Sequence, residues 1–187
     1  MNPNKIRQGV RLILEGIGED IDRPGLADTP DRVARLYEKL FSGIGAQAEK
    51  QVKFYITDNL DEMIVLRDIP FHSMCEHHLL PFFGTVSVAY LPKDNRITGF
   101  SNLLSVVEMI ARRPQLQERM VTEIADILME QLKPQGVIVI MKAVHMCLAM
   151  QGQRKEGIQT VTSAMRGAMR REATRLEALN LLGESLR

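Results

Sequence analysis

His72, Cys75, His77 and His78 place three imidazoles and one thiol within seven consecutive positions, and His145 and Cys147 place a second pair two residues apart. The chain has two cysteines and four histidines, so every soft metal ligand it owns lies in one of these two stretches. Cys75-x-x-His78 has the spacing of a ligand pair, because two intervening residues let a turn bring both side chains to one ion. Alone it is a weak signal, since structural zinc takes four protein ligands. The second stretch strengthens it. In an extended strand His145 and Cys147 point to the same face and deliver a thiolate beside an imidazole.

Counting ligands separates the arrangements. Cys75, His78 and Cys147 form a Cys₂His set that leaves one position of a tetrahedral zinc free, the mark of a catalytic zinc, whose water has a pKa of about 7. His77 and His145 then remain as acid–base groups, the role imidazole fills at neutral pH. The competing arrangement adds His145 as a fourth ligand and closes the site, although a chain of this size needs no metal staple. The plain alternative, two buried cysteines with satisfied histidines, leaves the clustering to coincidence.

Several elements must position these groups. Ile6, Val10, Ile13, Leu14 and Ile17 recur at helical spacing, and Val33, Leu36, Tyr37, Leu40 and Phe41 do so again after Asp28-Thr29-Pro30-Asp31, where Asp28 or Thr29 can cap. Gly45 to Gln51 reads as a linker. Val52–Thr57, Met63–Ile69 and Thr85–Leu91 read as strands, the last half-buried by its alternation, with the first ligand cluster in the loop before it. Leu103–Arg112 and a longer segment opened by Pro114 read as a helix pair. Val137–Met141 reads as a buried strand with Ala143–Met150 as its hairpin partner. Thr160–Ser163 and a helix carrying Leu176, Leu179 and Leu182 close the chain. Strands on either side of a helix pair predict an α+β fold with an antiparallel sheet. The expected division is an N-terminal helical segment, 1–50, followed by a catalytic domain, 51–187.

Composition narrows the partners. The chain has 187 residues, 45% hydrophobic and 25% charged, with a formal net charge of +1. That size supports a core without disulfides. Near-neutrality gives no electrostatic footprint for nucleic acid, which argues against a zinc-stapled nucleic-acid module. No apolar run reaches the length of a membrane span, and Met1-Asn2-Pro3-Asn4-Lys5 lacks the apolar centre of a signal peptide, so the expected setting is cytoplasmic and reducing.

Asp28-Thr29-Pro30-Asp31-Arg32-Val33-Ala34, Ser73-Met74-Cys75-Glu76-His77-His78-Leu79-Leu80-Pro81-Phe82-Phe83-Gly84, Gln117-Glu118-Arg119, Ala143-Val144-His145-Met146-Cys147 and Thr160-Val161-Thr162-Ser163-Ala164-Met165-Arg166-Gly167 together resemble the GTP cyclohydrolase I family over most of the chain. The resemblance implies a tunnelling fold, in which subunits join antiparallel sheets into a barrel, and a toroidal homo-oligomer, usually a decamer, with sites at subunit boundaries. By position it implies Cys75, His78 and Cys147 as zinc ligands and His77 and His145 as catalytic histidines, with His145 at the purine N7. Gln117 and Glu118 match the guanine-recognition pair, Ser101 the residue near the ribose, and Arg32 a phosphate contact. The implied reaction hydrolytically opens the imidazole ring of GTP at C8, releases formate and recloses to 7,8-dihydroneopterin triphosphate.

The sequence departs from the family at the triphosphate. Asn102 stands where lysine is usual, and Ser105 and Gln151 where arginine is usual. Each charge-assisted phosphate contact contributes about 1.5–3 kcal/mol, so the grip on a triphosphate is expected to weaken unless Arg154 or Lys155 compensates. The departure leaves as alternatives a less phosphorylated guanine nucleotide, a nucleoside or free base, or an inactive ligand-binding homologue.

Overall fold

A computed structural model describes residues 1–58, 62–151 and 158–183, so Arg154 and Lys155 lie outside the described residues. Helix α1, Pro3–Gly16, starts where Asn2 accepts a hydrogen bond from the Lys5 amide at 3.1 Å. Helix α2, Thr29–Leu40, takes Pro30 and Asp31 into its first turn. Asp28 makes no cap bond there; its carboxylate pairs with Arg32 at 3.3 Å instead. The two helices pack on each other and are bridged by Arg7 and Asp31 at 2.6 Å. Helix α1 buries none of its residues in this chain, leaving Leu12 and Ile13 largely exposed.

The centre is a five-stranded sheet in the order β5-β2-β3-β6-β7: β2 Ile64–Cys75, β3 Pro81–Leu91, β5 Pro114–Gln115, β6 Gly136–His145 and β7 Thr160–Gly167. All neighbours are antiparallel except β5 beside β2. A second, two-stranded sheet joins β1, Phe54–Ile56, to β4, Arg96–Thr98. Helices α3, Phe100–Ala111, and α4, Gln117–Leu132, cover one face of the main sheet around Val86, Val88, Ile110, Ile124 and Leu128. Helix α6, Glu172–Leu182, covers the other around Ala89, Ile138 and Ile140. The architecture is α+β with the expected helix pair. No helix among the described residues is long and apolar enough to cross a membrane.

Four local expectations are corrected. β3 is buried on both faces from Val86 to Tyr90, because α6 covers the side that alternation assigned to solvent. The ligand cluster is not all loop: β2 runs through His72 to Cys75 and β3 begins at Pro81, so only 76–80 turn. Pro114 does not open a helix; with Gln115 it pairs alongside Met74 and Cys75, and α4 starts at Gln117. Ala143–Met150 is not a hairpin partner of Val137–Met141. One strand runs to His145 and gives way to a single helical turn, α5, Met146–Ala149.

Candidate metal centre

Strand β2 delivers Cys75 to the lip of the sheet, and the five-residue turn after it folds straight back. Leu79 donates its amide to the Cys75 carbonyl at 2.8 Å, and Cys75 donates to Leu80 at 2.8 Å. Leu79 adopts the left-handed region at φ 52°, an uncommon conformation for a non-glycine residue. The turn returns the His78 ring over Cys75, with Nδ1 4.0 Å from Sγ. On the neighbouring β3–β6 pair, His145 lies opposite Phe82. The chain then enters α5, which carries Cys147 inward until its sulfur is 4.0 Å from that of Cys75. One ligand atom from each of Cys75, His78 and Cys147 lies within 4.8 Å of the others.

The donors fit zinc. A tetrahedral zinc with bonds of about 2.3 Å to sulfur holds two sulfurs about 3.8 Å apart, so only a small contraction is needed. Burial, and then the adjacent Cys75 sulfur, pushes the Cys147 thiol above its ordinary pKa. Two buried thiolates in contact are costly without a cation between them, and a divalent cation reverses that cost. Thiolate and imidazole suit a borderline-soft ion, and three donors leave one position free.

The neighbouring groups are polar but sparingly partnered. The His145 ring stacks on buried Phe82, centroids 4.8 Å apart and planes 1° from parallel. Its Nδ1 is buried with no hydrogen-bond partner among the described residues. Burial pulls its pKa below the usual imidazole value, with the Glu118 carboxylate pulling weakly back. His77 is exposed, edge-on to His78 at 6.2 Å. The β5–β2 pairing brings the start of α4 to this rim: Gln117 is buried and Glu118 exposed in its first turn. The Gln117 amide nitrogen donates towards Met141 O, Thr160 O and Thr162 Oγ1 at 3.0–3.1 Å, while its Oε1 has no partner among the described residues.

Ser101, Asn102 and Ser105 lie elsewhere in the chain. Asn102 donates to the Lys53 carbonyl and to Thr98 Oγ1, each at 3.1 Å, and the Thr98 amide in turn meets the Tyr90 hydroxyl at 3.3 Å. Tyr90 and Phe82 of β3 pair with Val137 and His145 of β6, eight residues or about 26 Å apart along the strand. Helix α3 shows the same separation. Its last residue, Ala111, accepts from Ser73 at 2.8 Å near the metal turn, and Ser101 is ten residues, about 15 Å, further up the helix. Ser105 bonds back to the Ser101 carbonyl at 2.9 Å. Arg32 is exposed and paired with Asp28; Gln151 is exposed just past α5. Within one chain, Ser101, Asn102 and Ser105 are therefore not gathered with the metal donors.

Sequence reasoning gave no role to Gln115, whose backbone zips against Cys75, or to Arg119, which forks onto Glu76 at 2.7 and 2.8 Å. The adjacent Gln117-Glu118-Arg119 motif was the available signal.

Two thiols and an imidazole, flanked by further imidazoles, form a donor set that fits one zinc ion with a fourth position left over. The GTP cyclohydrolase I family model matches residues 6–183. The chain is 51% identical to GTP cyclohydrolase 1 of Carboxydothermus hydrogenoformans over 184 residues, covering 98% of this chain and 96% of that one. It is 50% identical to GTP cyclohydrolase 1 of Clostridioides difficile over 184 residues, 97% of each chain. The chain belongs to the GTP cyclohydrolase I family, and its α+β architecture is that family's tunnelling fold.

Proposed function

We propose that this chain is a zinc-dependent cyclohydrolase that opens the imidazole ring of GTP at C8, releases that carbon as formate and yields 7,8-dihydroneopterin triphosphate. The observation that carries the reading is the convergence of Cys75, His78 and Cys147, two of them 72 positions apart, on one point within 4.8 Å. Bound there, zinc supplies a Lewis acid and water activated at neutral pH. His145 has an unpartnered buried ring nitrogen and is held flat by Phe82, which suits it to handle the proton at purine N7. His77, exposed beside His78, is the second candidate acid–base imidazole. The exposed Glu118 carboxylate, next to Gln117 in the first turn of α4, is an acceptor for the N1–H and exocyclic amine of guanine; adenine presents no N1–H.

The separation of Ser101, Asn102 and Ser105 from the metal donors supports a homo-oligomer in which a neighbouring copy supplies these residues, and we take that assembly to be a ring-shaped decamer. The N-terminal segment 1–50 and the catalytic domain 51–187 are its working parts, and a reducing cytoplasm keeps both cysteines as thiols.

A second reading has its own support. Asn102 and Ser105 are neutral and already bonded within the chain, so neither offers charge to a triphosphate. A less phosphorylated guanine compound then becomes the substrate. Zinc-loaded protein given GTP, GMP, guanosine and guanine separates the readings: formate and pterin-type fluorescence are expected from GTP. Product from only the less phosphorylated members selects the second reading, and no formate from any of the four ends both.

A further inference from the structure

Among the described residues, Glu76 is the one member of the 76–80 turn whose side chain hydrogen-bonds beyond the turn and Cys75. Both of its oxygens are taken by Arg119, whose Nη1 and Nη2 donate at 2.7 and 2.8 Å. Its backbone amide also donates to the Gln115 carbonyl at 3.1 Å. Arg119 follows Glu118 in the first turn of α4, and Glu76 lies between Cys75 and His77. The fork therefore ties the turn that carries one metal donor and one acid–base imidazole to the helix that carries the guanine acceptor.

Its exposure limits what else it can do. The side chains of Arg119 and Glu76 are 48% and 30% exposed, and ion pairs of that exposure add little to fold stability. A two-pronged arginine–carboxylate pair instead fixes orientation, because both N–H bonds must align at once. The turn needs such a fix. It bends through a left-handed Leu79, and His78 reaches the donor group from an exposed position.

We infer that Glu76 and Arg119 are positioning residues that hold the Cys75–His78 turn in register with the start of α4, setting the distance between the metal and the purine's pyrimidine edge. The inference rests on the cyclohydrolase reading for the substrate, but the clamp itself is a property of this chain. Substitution of groups that orient metal ligands typically costs 10- to 100-fold in metal affinity or activity.

The test compares Glu76→Gln, Arg119→Lys, Arg119→Met, the double variant Glu76→Gln/Arg119→Met and the exchange Glu76→Arg/Arg119→Glu. Three readouts are taken: zinc affinity by chelator competition, the visible spectrum of the cobalt-substituted protein, and kcat and KM for GTP. Each single variant, Arg119→Lys included, should keep its thermal midpoint near wild type, shift the cobalt bands and lose about tenfold in zinc affinity or kcat/KM. The double variant should lose no more than the worse single, and the exchange should recover part of the loss. Unchanged spectra and affinities in the singles, additive losses in the double, or full function in Arg119→Lys would overturn the inference. Wild-type failure on GTP would remove the substrate reading alone, since the zinc and cobalt readouts do not need it.

Discussion

The two ends of β3 differ in what a single chain can complete. At the Phe82 end, Cys75, His78, His145 and Cys147 converge from the end of β2, the 76–80 turn, the end of β6 and one helical turn, with the Glu118 carboxylate acting on the His145 pKa. At the Tyr90 end, Ser101, Asn102 and Ser105 sit among backbone carbonyls with their hydrogen bonds directed inward where they make any. The first end gathers packed sulfurs and polar atoms without partners among the described residues; at the second, Asn102 and Ser105 are neutral and bonded within the chain. On the proposed reading, one chain supplies the donors for the bond-breaking chemistry, and a neighbouring copy completes the hold on the rest of the substrate.

The largest effect is expected at the Phe82 end. Cys147→Ser, or stripping the metal with a chelator, should lower turnover by about 10³-fold or more, from the several kcal/mol a Lewis acid contributes. Metal analysis should fall from one zinc per chain, and zinc should rescue the stripped wild type but not the variant. Retained turnover after complete stripping would break the comparison at its stronger end.

Charge at the Tyr90 end, together with Gln151 just past α5, sharpens it with a gain. Restoring charge through Asn102→Lys, Ser105→Arg and Gln151→Arg together should lower KM for GTP by about tenfold or more while leaving guanosine unchanged, since each phosphate contact contributes about 1.5–3 kcal/mol. The loss of the Asn102 bonds to Lys53 and Thr98 offsets part of that gain. No change with GTP would separate these positions from the phosphate.

The smallest signal is the most direct on assembly. Cys147→Ser damages one end and Ser101→Asp should impair the other by repelling phosphate. Unfolded and refolded together, the two should recover roughly a quarter of wild-type activity, because mixed interfaces pair an intact half from each copy. Refolded separately, each should stay at its own low level. Absence of recovery from a mixed oligomer would mean that both ends serve the same chain.

Much of the metal centre was legible before any fold was known. Thiolate and imidazole choose soft ions by their electronic character, whatever their conformation, so two cysteines beside histidines were informative at once. Helices α1 to α4 were legible from their repeating apolar residues, with α4 misplaced at its start. Pro114 resembles a helix opener locally, but a free edge of β2 was there to pair with it. Met146–Ala149 is too short to show a period, so Ala143–Met150 looked like the return strand of a hairpin. The burial of β3 on both faces could not be seen from its own alternation, because the covering helix α6 comes some eighty residues later.

The sequence by itself determined which atoms can bind the ion, which rings can carry protons, and the family to which the chain belongs. Only the tertiary structure decided that the sulfurs of Cys75 and Cys147 approach to 4.0 Å and that Asn102 lies at the opposite end of the sheet. The reason is register. The approach depends on β3 pairing with β6 so that Phe82 faces His145, and a slip of one residue would turn every side chain of the strand to the other face. No local residue preference encodes that alignment; the packing of α3, α4 and α6 against the two faces selects it.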